Sequence, residues 1–258
     1  LKHATMLYCK YNVTLRRREC LMIDYITEQY RLAHKLDEDF ECWEHYPQHR
    51  WVFNKLEVAM KLGYHCGPAC VPVKHNGNYI VRPIYNLYGM SVGAEQKYLR
   101  KSDTQLMNDH GLIPPGHFWC DWFDGVHYSI DYKWELDLEP ITTTIGTKEG
   151  LKFTQWTKVE NVYKELPKWI YKFDDVEELN LEFIGDKLIE VHLRSGNDIV
   201  HDDPVGTKMI PHWQDSDPNY INMLKERWTY HNNYFPAGPY DASGYIANPR
   251  VGYLKLKP

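Results

Sequence analysis

Glu182, Glu190, His192 and Arg194 fall in one stretch, residues 178–194, whose residue types and spacing carry the chemistry of this chain. Side chains alternate in direction along a strand. With a three-residue turn at Gly185, Asp186 and Lys187, the stretch predicts a hairpin that sets Glu182 opposite Glu190 and Asn180 opposite His192. One face is then wholly apolar: Leu179, Leu181 and Phe183 against Ile189, Val191 and Leu193. The other face gathers Glu178, Asn180, Glu182, Glu190, His192 and Arg194. A slip of one residue would mix the two faces, which a half-buried sheet resists. Two carboxylates directly opposite one another repel unless positive charge lies between them. A divalent cation with hard oxygen ligands, Mg²⁺ first, suits that position, with a phosphate on its far side. A solvated polar face on an amphipathic hairpin is the competing reading of the same residues.

The elements that must position this hairpin alternate between helix and strand. Residues 6–13 read as a strand, and Thr14 caps a helix running to about Leu36. Residues 41–51 are aromatic and irregular. Residues 53–62 form a short helix stopped at Gly63. Residues 71–75 and 78–82 flank Asn76-Gly77, a strong two-residue hairpin signal. A glycine-containing loop covers 84–93, and 95–110 is helical at least in part. Strands at 118–123 and 128–134 bracket Asp124-Gly125, with further strand-like pieces after Pro140 and a helix near 157–166. Asp217-Pro218 opens a last helix, and a Gly/Pro/Tyr-rich tail ends in a strand at 251–255.

Length and composition set modest limits. With 258 residues and a net charge of −5, the chain has no broad basic surface for nucleic acid. Arg16-Arg17-Arg18 is its single basic run and reads as a solvated helix face. No apolar stretch approaches the roughly 18–20 residues that span a bilayer, and the first residues show no signal-peptide core. The chain opens on Leu1 rather than Met, which is compatible with residues preceding it. Twenty Tyr and nine Trp are scattered, as in cores and lobe interfaces. Six cysteines without a disulfide framework fit a reducing cytoplasm. Cys66 and Cys70, with His65 and His75 nearby, invite a zinc reading; the four follow no known ligand spacing, and Cys66-Gly67-Pro68 reads as a turn, so zinc is not expected from them.

Four segments, in order over about residues 53–196, resemble the ATP-grasp superfamily, whose members include D-alanine–D-alanine ligase and biotin carboxylase. Asn54-Lys55-Leu56-Glu57, then Leu62-Gly63 and Pro68, is similar to the family's first lysine segment, whose lysine reaches the nucleotide phosphates. Tyr79-Ile80-Val81-Arg82-Pro83, then Gly89 and Gly93, resembles the strand ending in a phosphate-binding lysine and proline before a flexible glycine loop. The run from Phe118 through Cys120, Asp121, Trp122, Phe123 and Gly125 to Asp131 looks like the hinge that reads adenine, with His127 where a ribose-binding acid usually stands. The fourth is the hairpin, where Glu190-Val191-His192-Leu193-Arg194 stands where the family writes Glu-x-Asn-x-Arg.

The resemblance implies an α/β (α+β) ATP-grasp fold, two mixed lobes clasping a nucleotide. It implies ATP-dependent ligation: a carboxylate becomes an acyl phosphate, and an amine or similar nucleophile displaces the phosphate. ATP would be held by Lys55, Arg82, Gly89, Gly93, Cys120, Asp121, Trp122, Phe123 and His127; Mg²⁺ or Mn²⁺ by Glu182, Glu190 and His192; the acyl group by Arg194, with Arg82 also catalytic. Arg82 departs from the family's lysine, Cys120 from an acid, and His192 from an asparagine, the last favouring Mn²⁺. Only about fifty residues precede Lys55, fewer than the family's N-terminal lobe. The expected organisation is a strand–helix region over 1–52, a core over 53–200 with its small lobe near 70–125, and a C-terminal helix and tail over 201–258 packed on it. Small-molecule or peptide carboxylates and amines are the expected partners, with no nucleic acid and no membrane, in the cytoplasm. A phosphotransferase and a decayed nucleotide-binding or structural protein are the alternatives.

Overall fold

The computed structural model describes residues 36, 38–87, 93–105, 112–196, 198–232, 250–256 and 258. The chain divides into compact units Leu1–Leu36 and Asp37–Pro258, and everything below concerns the second. The strand and helix expected before residue 36, Gly89, and most of the Gly/Pro/Tyr-rich tail lie outside the described residues.

In chain order the elements are α1 (Asp39–His45), a 3₁₀ turn (Pro47–Phe53), α2 (Lys55–Lys61), β1 (Cys66–Pro68), β2 (Gly77–Pro83), β3 (Glu95–Leu99), α3 (Lys101–Gln105), β4 (His117–Asp121), β5 (His127–Trp134), β6 (Leu138–Glu149), β7 (Lys152–Val159), β8 (Glu178–Ile184), β9 (Lys187–His192), β10 (Lys208–Trp213), α4 (Pro218–Lys225), β11 (Thr229–Asn232) and β12 (Arg250–Leu256). The fold is α/β, with a small sheet in the order β1-β4-β2-β3 and a large one in the order β11-β12-β10-β7-β6-β5-β8-β9. All described pairings are antiparallel.

The small sheet is apolar on both faces. Tyr79, Val81 and Trp119 pack with Val73, Leu99 and Ile113 on one side. Phe118 and Cys120 pack with Ala59 and, at the margin, Leu56, Tyr64 and Ile80 on the other. Period-2 alternation therefore sends Arg82 to the same side as Ile80. Residues 122–126 carry the chain from β4 to β5 and so from one sheet to the other. Gly125 has φ +140°, and a Cβ there would lie 3.0 Å from the Gly185 nitrogen; the Gly185 amide donates to the Val126 carbonyl at 2.8 Å. The link is thus fastened to the tip of the β8–β9 hairpin.

Several sequence expectations need correction. Residues 41–51 are α1 and the 3₁₀ turn rather than irregular chain. Residues 71–75 are not a strand: β2 pairs instead with β3 and β4, so Asn76-Gly77 does not close a hairpin. Of the stretch 95–110, read as helical at least in part, 95–99 are a strand and 101–105 are helix, while 106–110 lie outside the described residues. Cys66–Pro68 is a strand and not a turn, because Cys66 pairs opposite Cys120. Residues 157–166 are not helical: Thr157 pairs with Ile145 and Lys208, and Thr154, Thr157 and Val159 are residue types that suit a pleated strand.

The hairpin register is as expected, with Glu182 opposite Glu190 and Asn180 opposite His192. Its turn differs. Ile184 pairs with Lys187 around a two-residue turn, and Ile189 is an extra residue in a bulge between the Phe183–Leu188 and Glu182–Glu190 pairs. Leu188, not Ile189, therefore joins Leu179, Leu181, Phe183, Val191 and Leu193 in the core.

Candidate active site

A cleft of about 510 Å³ lies between the two sheets, within the range of roughly 300–1,000 Å³ usual for small-molecule sites. Its small-sheet wall is built from Ile80, Arg82 and Cys120, with Lys55, Val58 and Ala59 from α2; the opposite wall is His127, Lys148, Glu182, Leu188 and Glu190. The link contributes Trp122 and Phe123. One end is apolar and aromatic, the other charged.

Each charged group reaches the cleft by a local rule. Asn54 caps α2, its side chain accepting from the Glu57 amide at 3.0 Å, which fixes Lys55 as the first helical residue. The Lys55 amide bonds the Ile84 carbonyl just past β2, and α2 packs on β9. Lys55 Nζ consequently meets Glu190 Oε2 at 2.5 Å. From the other sheet Arg82 Nη1 donates to Glu190 Oε1 at 2.6 Å, while Nη2 donates to the Ile189 carbonyl at 3.0 Å. The bulge leaves that carbonyl facing the guanidinium, whose planar fork serves both acceptors. Among the described residues, the buried Arg82 Nε has no hydrogen-bond partner.

Glu182 is engaged separately: His127 Nε2 lies 3.0 Å from its Oε2. The repulsion anticipated between the two carboxylates is therefore relieved by protein cations and an imidazole. Burial disfavours ionisation of Glu190, but Lys55 and Arg82 outweigh it and hold the carboxyl far below its ordinary range. Burial likewise opposes ionisation of Glu182, and the hydrogen bond from His127 brings its pKa down. Lys148, beside the Phe153 ring at 4.2 Å, has its pKa lowered by burial against the pull of Glu182 and Glu190.

Behind Glu190, His192 Nδ1 lies 2.8 Å from Asp39 Oδ2, and its Nε2 faces Glu190 Oε2 at 3.6 Å and Glu182 Oε1 at 3.8 Å. Burial alone would depress the His192 pKa; Asp39 reverses this and raises it. Arg194 Nε donates to Asp39 Oδ1 at 3.0 Å, so one carboxylate of α1 ties down both residues.

The structure brings together Lys55, Arg82, Cys120, Trp122, Phe123, His127, Glu182 and Glu190 around the cleft, with His192 behind. Asp121 is among the lining residues, but its carboxylate is held by His65 Nδ1 at 3.0 Å. Arg194 is not among the cleft-lining residues. Gly93, with φ +73°, closes on Pro83, where a Cβ would come within 2.9 Å of the ring.

Sequence reading missed Asp39, Lys148 and Asp131. Glu38 and Glu41 form a capping box around the start of α1, a signal that could have placed Asp39 in a first turn. Asp131 is buried, held by Asn180 Nδ2 at 2.7 Å and the Gly196 amide at 2.8 Å; burial pushes its carboxyl up to about 6.

No family model and no curated protein matches the chain. Among solved structures, it is similar to carboxyaminoimidazole ribonucleotide synthase from Aspergillus clavatus complexed with ATP, at 12% identity and a TM-score of 0.49 over 81% of this chain and 69% of that one. It is also similar to L-amino acid ligase from Bacillus licheniformis, at 10% identity and 0.46 over 80% and 67%. A third is a protein from Archaeoglobus fulgidus described as of the ATP-grasp superfamily, at 11% identity and 0.40 over 81% and 65%. At such identities these likenesses concern fold alone, and the chemistry rests on the residues of the cleft.

Proposed function

We propose that this ATP-grasp-like chain is an ATP-dependent ligase that activates a carboxylate and joins it to an amine or similar nucleophile. The observation that carries the proposal is the meeting of Lys55, Arg82, Glu190 and Glu182 at the charged end of an otherwise apolar cleft. The apolar end, with Ile80, Cys120, Phe123 and Leu188, suits a flat purine. Lys55 and Arg82 bind and orient phosphate oxygens, and the unpartnered Arg82 Nε supplies a further donor for an anion. Glu182 and Glu190 offer the hard oxygens that hold Mg²⁺ or Mn²⁺, joined by His192 once its Nε2 has lost its proton. The metal, when bound, neutralises charge on the transferring phosphate. Arg194, whose Nε is held by Asp39 and Nη1 by the Ser195 carbonyl, stands outside the cleft lining and would have only Nη2 for the carboxylate or its acyl phosphate.

A second reading, nucleotide binding without turnover, is favoured by one observation: Glu190 already spends both oxygens on Lys55 and Arg82. Product analysis separates the readings. A ligase gives ADP, free phosphate and a condensed product; a phosphotransferase gives ADP and a phosphorylated acceptor; a binding protein gives none of these.

The first test is thermal. ATP with Mg²⁺ at a hundredfold excess over Kd adds about 2.7 kcal/mol, several degrees of melting temperature for a domain of this size. GTP should shift it less. Millimolar nucleotide with metal and no shift of any kind would remove both readings.

A further inference from the structure

We propose that His65, His75 and Asp121 form a binding site for a borderline transition-metal dication, Zn²⁺ first, on the face of the small sheet turned away from the cleft. One ligand atom from each of the three lies within 4.8 Å of the other two. They come from three separate points of the chain: His65 just before β1, His75 just before β2, and Asp121 at the end of β4.

The backbone fixes the meeting. The Asp121 amide donates to the His65 carbonyl at 3.0 Å, setting the two residues opposite one another, and Asp121 also pairs with Tyr79. His65 lies edge-on to Trp119 at 4.8 Å between ring centroids and stacks on His75 at 4.8 Å with 28° between the planes. Aromatic walls therefore hold the first imidazole, while exposed His75 leaves the third side accessible.

The distances suit a small ion. Donor atoms about 2.1 Å from a tetrahedral centre stand about 3.4 Å apart, and His65 Nδ1 and Asp121 Oδ1 are already at 3.0 Å. Bringing His75 in from 4.8 Å requires a rotation of an exposed side chain rather than a shift of strands. A metal held by His65 Nδ1 and Asp121 Oδ1 takes the place of the proton now shared between them, and Nε2 keeps its own.

The donor set selects the ion. Two imidazoles and one carboxylate favour Zn²⁺ and its neighbours over Mg²⁺ or Ca²⁺, with a remaining position for water. Cys66 is excluded because it packs with Cys120 on the cleft side. Binding replaces protons on the ring nitrogens, so it weakens as pH falls.

The test uses the full chain, freed of metal by chelation, titrated with Co²⁺ by visible absorption and with Zn²⁺ in competition. One equivalent should bind with a tetrahedral Co²⁺ spectrum, and Zn²⁺ should raise the melting temperature. His75→Ala, at an exposed position, should keep the parent melting curve in chelator and weaken Zn²⁺ binding at least tenfold; Asp121→Asn should weaken it as well. Glu182→Gln with Glu190→Gln should leave it intact, and the ATP-dependent shift should survive in His75→Ala, so the outcome does not depend on the nucleotide reading. Equal binding by parent and His75→Ala, loss of the site with the glutamate changes, or no bound equivalent in the parent overturns the proposal.

Discussion

Arg82 and Glu190 belong to different sheets, yet the guanidinium Nη1 and the carboxylate Oε1 stand 2.6 Å apart. This contact bridges the small and large sheets at the charged end of the cleft, and Lys55 from α2 joins it on the other oxygen. A single carboxylate therefore gathers a helix and both sheets. From sequence, neutralising Glu190 would be expected to relieve repulsion from Glu182; the structure reverses that expectation, since its loss strands two largely but not fully buried cations.

The reversal is measurable in a double-mutant cycle. Glu190→Gln and Arg82→Ala should each lower stability by on the order of 2–3 kcal/mol, below the value for a fully buried pair because both side chains keep some exposure. The double variant should lose clearly less than the sum. Urea unfolding of the four proteins provides the coupling energy. A more stable Glu190→Gln protein would show that repulsion, not pairing, dominates.

Stability should also depend on pH in two opposed windows. His192 has a folded pKa above its ordinary 6.5, so its contribution is complete below pH 6.5 and is lost as pH rises through the raised value. Asp39 and Glu190 are depressed from 3.8 and 4.5; their contribution is present above those values and is lost as pH falls through the folded ones. Asp131 runs the other way, since ionising it above about pH 6 costs stability that acidification returns. For His192→Asn, the deficit against the parent should be largest near pH 6 and shrink on the alkaline side. Urea midpoints across pH 5–9 check this, and a deficit independent of pH would mean that His192 is not charged in the fold.

Gly125→Ala tests the fastening of the link. A φ of +140° belongs to glycine, and the added methyl would press on the backbone of Gly185. A loss of about 1–3 kcal/mol is expected, together with a smaller ATP-dependent melting shift, because the link lines the cleft and the hairpin carries its carboxylates. Calorimetry with and without ATP separates the two effects. An unchanged protein would mean that the link is free of the hairpin tip.

Much of this was legible because it follows from short-range rules. Alternation over residues 178–194 fixed the pairing of Glu182 with Glu190, and Gly63, with φ +72°, marked the end of α2, whose start at Lys55 came two residues later than expected because Asn54 caps it. What escaped depends on distant partners. Nothing local says that Lys55 and Arg82 will both choose Glu190, or that Asp121 will turn to His65. The helix expected at 157–166 failed because apolar spacing there resembles a helical face, whereas pairing with β6 and β10 decides the state of Thr157. The turn was misjudged by one residue because what accompanies the bulge, the Gly125–Gly185 approach and the Arg82 bond to the Ile189 carbonyl, is remote in sequence.

That bulge gives residue 189 an unusual status. Removing Ile189 from the chain would leave Leu188 opposite Phe183 and bring Glu190 directly next to it, still opposite Glu182, so the inward and outward alternation of the hairpin would survive intact. The extra residue is therefore dispensable to the ladder, and what it provides is one carbonyl oxygen for Arg82. Length at this point and the hold on Arg82 are therefore one property: a hairpin one residue shorter would keep Glu190 for Nη1 and leave Nη2 to find another acceptor.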